Sequence, residues 1–166
     1  MIVLVLLLAT VQLCSGCSDV QRVCPTGPET SYMVIAVEYW ASQGEPVIMA
    51  TDSECTIRTR IQEQAIPGQQ WGKELAVHKV YDLGVTELEP SHMVQTEIRI
   101  RESMWVQFHH IQRIYIAAHE LGHAWHRNDN HFNWMPMLAD IPDDSAIENW
   151  LTEAGLEQYI KEENLP

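Results

Sequence analysis

Residues 32–40, from Tyr32 to Trp40, form an almost unbroken run of apolar, β-branched and aromatic side chains. So short a run without a polar face predicts a strand covered on both sides, and residues 47–50 predict a second, shorter one. Thr51, with Glu54 three residues on, has the spacing of a capping box. Behind it Ile57, Ile61 and Ala65 fall on one helical stripe that stops at Pro67-Gly68, which predicts a helix. Two more strands are expected at residues 75–83 and 96–101. In the second, Ile98 and Ile100 alternate with Glu97, Arg99 and Arg101, the pattern of an exposed or edge strand.

Residues 104–127 contain no proline, and Phe108, Ile111, Tyr115, Ala118, Gly122 and Trp125 recur at intervals of three and four. That periodicity predicts a long helix with one buried face. Residues 128–142 hold two prolines with several Asn and Asp and read as irregular. Ser145 and Glu148 then have capping-box spacing for a last helix, with Ile147, Trp150, Leu151 and Ala154 facing inward before Gly155 interrupts it. The order of elements describes an α+β domain over residues 32–166, and no internal repeat is present.

The 166 residues carry 10 Lys+Arg and 23 Asp+Glu, a net charge of 10 − 23 = −13. A phosphate backbone is repelled by such a surface, so nucleic-acid binding is not expected. Residues 1–18 have no charge, and their first thirteen form an apolar run of signal-peptide core length, too short for a membrane span. Residues 1–16 are therefore expected to be an export signal, although the basic start that such signals carry is missing. The stretch Leu13-Cys14-Ser15-Gly16-Cys17 resembles a bacterial lipoprotein signal, which implies lipid attachment at Cys17 and a cell-envelope location. Cys14 stands where that signal has an aliphatic residue, and a secreted chain is the alternative. Residues 17–31, rich in turn formers, read as a tether. With Cys17 modified, Cys24 and Cys55 are the candidate disulfide in an oxidising compartment.

The most informative residues are His119-Glu120-Leu121-Gly122-His123 in the expected long helix. Positions 119 and 123 are one turn apart, so both imidazoles leave the same face and could bind one metal ion, while Glu120 is offset by about 100°. Zinc hydrolases need this arrangement. The ion brings the pKa of its water to about 7 and polarises the peptide carbonyl, and the glutamate takes the proton. A third protein ligand is required.

The stretch 116–124 closely resembles the active-site helix of the metzincins, particularly the matrixins, whose pattern is H-E-x-x-H-x-x-G-x-x-H or D. The resemblance implies Asp129, ten residues after His119, as third zinc ligand, as in the snapalysin-type variant. It also implies that Met137, eighteen residues after His119, lies in a turn beneath the metal, with a helix following. The expected architecture is a metzincin-like catalytic domain, with a small twisted mixed sheet packed on the active-site helix. The strand 96–101 resembles the edge strand along which metzincins align an extended peptide. One departure is plain: His126 replaces the glycine that turns the family's chain out of the helix. That leaves His131 as an alternative ligand, and Asp140, Asp143 or Glu148 as others.

The expectation is an exported zinc metalloendopeptidase acting on proteins or peptides, touching a membrane only through an anchor at Cys17. His119, His123 and Asp129 would hold zinc and Glu120 would be the general base. The rivals are a peptidase of another clan, gluzincin-like or aspzincin-like, with its third ligand after residue 139, and a zinc-binding envelope lipoprotein without catalysis.

Overall fold

The computed structural model describes residues 20–63, 76–80, 96–126, 131–138 and 140–166. Five strands form one sheet: β1 (Gln21–Pro25), β2 (Val47–Met49), β3 (Ile57–Ile61), β4 (Ala76–Val80) and β5 (Thr96–Ile100), in the order β2-β1-β3-β5-β4. The first three and β5 run parallel, and β4 pairs antiparallel with β5, Ala76 opposite Ile100. Helices α1 (Thr30–Ser42), α2 (Glu102–Trp105), α3 (His110–His126) and α4 (Asp144–Glu153) complete a mixed architecture that agrees with the α+β expectation. Among the described residues no helix is long and apolar enough to cross a membrane. The export signal expected at residues 1–16, and Cys17, lie outside the described residues.

Several expectations are corrected. The run from Tyr32 to Trp40 is the body of α1, not a strand. Tyr32, Met33, Ile35, Ala36, Val37, Tyr39 and Trp40 are buried, and the more open face, Ser31, Val34, Glu38 and Ala41, carries two apolar residues, so no continuous polar stripe shows in the sequence. It ends where Gly44 adopts φ +88°, a conformation open to glycine. The helix expected after Thr51 is instead a single 3-10 turn, Asp52–Glu54, followed by β3. There Ile57 and Thr59 are buried at alternate positions. The tether expected at residues 17–31 is overturned over Gln21–Pro25, which form β1 and pair on both sides.

The chemistry of β5 is also different from an edge. It lies between β3 and β4, and its alternation marks one core face and one polar face. Ile98 and Ile100 are fully buried, while Arg99 Nε donates to Glu97 Oε1 at 2.8 Å with both side chains largely covered. Among the described strands the edge on that side is β4, and the opposite edge is β2. Nor do Cys24 and Cys55 form a disulfide. Both are buried, Cys24 Sγ donating to the Thr51 carbonyl and Cys55 Sγ to the Ile57 carbonyl, each at 3.3 Å. Backbone acceptors inside the fold engage each thiol separately.

The β1–α1 junction holds a buried carboxyl. Glu29 is 0% exposed, and its Oε1 accepts from Thr26 N at 3.2 Å and from the Thr59 hydroxyl at 3.4 Å. Oε2 has no hydrogen-bond partner. Burial pushes this carboxyl above the ordinary value, against the smaller effect of its hydrogen bonds.

Candidate metal centre

Helix α3 starts at His110, six residues later than its periodicity suggests, since α2 stops at Trp105 and a turn separates the two. Ile114, Tyr115, Ile116, Ala117, Ala118 and Leu121 are each no more than 1% exposed, which fixes the helix within the core. On the other side of the sequence, Trp40 of α1 donates its indole Nε1 to the Ala118 carbonyl at 2.9 Å. The residue before His119 is thereby tied to a second helix. Glu120 and His123 are buried at 6% and 5% exposure.

The two imidazoles meet as the spacing requires. His119 Nε2 and His123 Nε2 are 3.0 Å apart, close to the roughly 3.3 Å expected between two nitrogens of one tetrahedral zinc. His119 Nδ1 lies 2.8 Å from the carbonyl oxygen of Pro136. A carbonyl only accepts, so Nδ1 carries the proton and the Nε2 lone pair is left for a ligand role. His131, solvent-exposed, completes the group: its ring centroid is 5.2 Å from that of His119 and 4.9 Å from that of His123. One ligand atom from each of the three lies within 4.8 Å of the others. Three imidazoles so placed can hold a metal ion, and imidazole suits zinc, copper, iron and nickel.

The segment that supplies His131 also builds the floor. Phe132 N donates to the Met137 carbonyl at 2.7 Å, and Met137 N to the Trp134 carbonyl at 2.8 Å, so the turn is closed by its own backbone. It contains the cis Met135-Pro136 peptide. Met137 is 0% exposed and packs on Gly122, between the two histidines in sequence. A β-carbon at Gly122 would collide with Met137 Sδ and with the Trp40 ring. The glycine therefore serves close packing between the helix, the turn and α1. Tyr115 stacks on His119 with ring centroids 5.8 Å apart and donates its hydroxyl to the Leu138 carbonyl at 3.3 Å. Burial, with the Glu120 and Asp140 carboxylates nearby, raises its pKa, so this phenol stays protonated.

Among the described residues one such group of three emerges, and its third member is His131, the alternative left open by the sequence. Asp129, implied by the resemblance, lies outside the described residues. Asp140, Asp143 and Glu148 are not in the group. Asp143 caps α4 instead, its Oδ1 accepting from Ser145 Oγ at 2.7 Å and Ala146 N at 2.9 Å, and these bonds hold its carboxyl below the ordinary range. His131 carried one signal in the sequence, a third histidine just past the helix, but nothing local fixed the path that returns it to the first two. No family model, no curated protein and no solved structure matches this chain.

Proposed function

We propose that the chain is an exported, zinc-dependent endopeptidase of metzincin-like organisation. The convergence of His119, His123 and His131 beside a buried glutamate carries the reading. It is supported by the long helix bearing the motif, the closed turn at Met137 against that helix, and the helix α4 that follows. Each of these matches what the resemblance implies. Asp129 gives way to His131 as the preferred third ligand.

A zinc ion held there would supply Lewis acidity, acidifying water and polarising a peptide carbonyl. The chain's own residues do the rest. Pro136 O fixes the tautomer of His119 and aims Nε2 outward. The Glu120 carboxylate takes the proton of the attacking water and delivers it to the departing amine. An extended peptide would present its backbone across the site, and specificity would fall to side-chain contacts.

The test is elemental analysis of the purified protein together with the Glu120→Gln variant. About one zinc per chain in both, with peptide cleavage only in the unaltered protein, is expected. A folded chain that takes up no metal when supplied with zinc would refute the reading. A variant that cleaves as well as its parent would remove Glu120 from the mechanism.

A further inference from the structure

Two aromatic side chains stand in solvent immediately beyond His131. Phe132 is 37% exposed and Trp134 43% exposed. Among the described residues, the other large apolar side chains with such exposure, Val20, Ile48 and Val106, lie on other parts of the chain. The Phe132 and Trp134 rings stack on one another, with centroids 5.7 Å apart and planes 22° from parallel. Trp134 also meets Trp40 edge to face at 6.1 Å.

This pair is held in place. The backbone bonds Phe132 N to Met137 O and Met137 N to Trp134 O close the turn on either side of it. Trp40, against which Trp134 rests, is bonded to the carbonyl just before His119, and Pro136 of the same turn orients His119 itself. Phe132 follows His131 directly, so its α-carbon is about 3.8 Å from that of the third metal-facing residue. A pre-organised aromatic surface on the turn that carries the third metal-facing residue loses little freedom when something covers it.

On the peptidase reading, we infer that Trp134, with Phe132 stacked on it, forms a subsite for an aromatic side chain of the peptide substrate, flanking the bond to be cut. The continuity of the pair with the metal-facing turn selects this occupant. A third ring extends the existing offset stack and covers apolar surface that water now touches. Trp134 and Phe132 are thus specificity determinants, with the chemistry left to Glu120 and the metal.

Two metal-directed probes separate this inference from the reading beneath it: N-acetyl-phenylalanine hydroxamate and N-acetyl-alanine hydroxamate, titrated calorimetrically into the zinc-loaded full chain. The phenylalanine compound is expected to bind at least about tenfold more tightly, the scale on which apolar pockets discriminate. Trp134→Leu and, separately, Phe132→Ser should pull that ratio toward unity while zinc stoichiometry stays at one. Using both guards against a fold defect in the tryptophan variant, because Phe132 is exposed. Equal affinity for the two probes, or a ratio that neither substitution changes, would overturn the subsite and leave the peptidase standing. Failure of zinc to bind, or of either probe to bind the zinc-loaded chain, would overturn both.

Discussion

Met137 Sδ occupies the space over Gly122 where any other residue would place its β-carbon. The floor of the site and its helix therefore interlock at one position, with the Trp40 ring closing the same space from α1. Gly122→Ala is expected to lower stability by about 1–3 kcal/mol through overpacking, despite alanine's better helix propensity. Urea unfolding of the two proteins would check it. An unchanged or raised midpoint would show that the contact yields without cost.

His131→Ala should weaken zinc binding by more than about 100-fold, since loss of a partner behind a ligand alone costs 10–100-fold. Asp129→Ala should change it far less. Competition against a chelator of known affinity measures both. The opposite ranking would restore the ligand implied by the family spacing.

Glu120→Gln keeps the shape of the side chain and removes its basicity. Peptide cleavage is expected to fall by about 10²–10⁴-fold with metal content unchanged. Paired rate and metal measurements on one preparation check this outcome.

With Cys24 and Cys55 not bridged to one another, stability is expected to be indifferent to reductant. A bridge between them would close a loop of about thirty residues and contribute about 4 kcal/mol on the chain-entropy account. Thermal unfolding with and without dithiothreitol should therefore give the same Tm. A clear drop in reductant would mean that the two sulfurs are joined.

Glu29 makes stability depend on pH in a definite direction. Its folded carboxyl is raised above 4.5 by burial, so the folded state holds the proton more tightly than the unfolded one. Stability is then highest where both states are protonated and declines as pH rises from the ordinary value through the raised one. Glu29→Gln lacks that decline. The variant should gain stability relative to its parent between acid and neutral pH, and unfolding series at several pH values would reveal the trend or its absence.

The sequence was legible where one face of an element was polar. Helix α3 announced itself because Glu120, His119 and His123 interrupt an apolar stripe, and β5 because charged residues alternate with Ile98 and Ile100. Helix α1 reads as a covered strand because Val34 and Ala41, apolar residues on its more open face, erase the period that separates the two structures. In β3, Ile57 and Ile61 are four apart, a spacing common to both structures. The deciding residue between them is Thr59, which is buried but polar and so invisible to a hydrophobic pattern. β1 offers Val23 as its clearest apolar signal amid Gln21, Arg22 and Pro25. At the site, helical geometry fixed His119 and His123, whereas His131 depended on tertiary return of the chain. Alternation in β5 reported a polar face and said nothing about its neighbours.

The position of β1 carries a practical consequence for anyone dissecting this protein. It is flanked by β2 and β3 and, among the described residues, is the one strand joining β2 to the rest of the sheet. A chain shortened to begin at Tyr32, as the pattern of turn formers would recommend, would strand β2 without a partner and open the edge of β3. It would also leave Glu29 behind. Nicking by a protease just after Pro25 would threaten the same junction, so the least structured-looking stretch of the sequence is a keystone of the assembly.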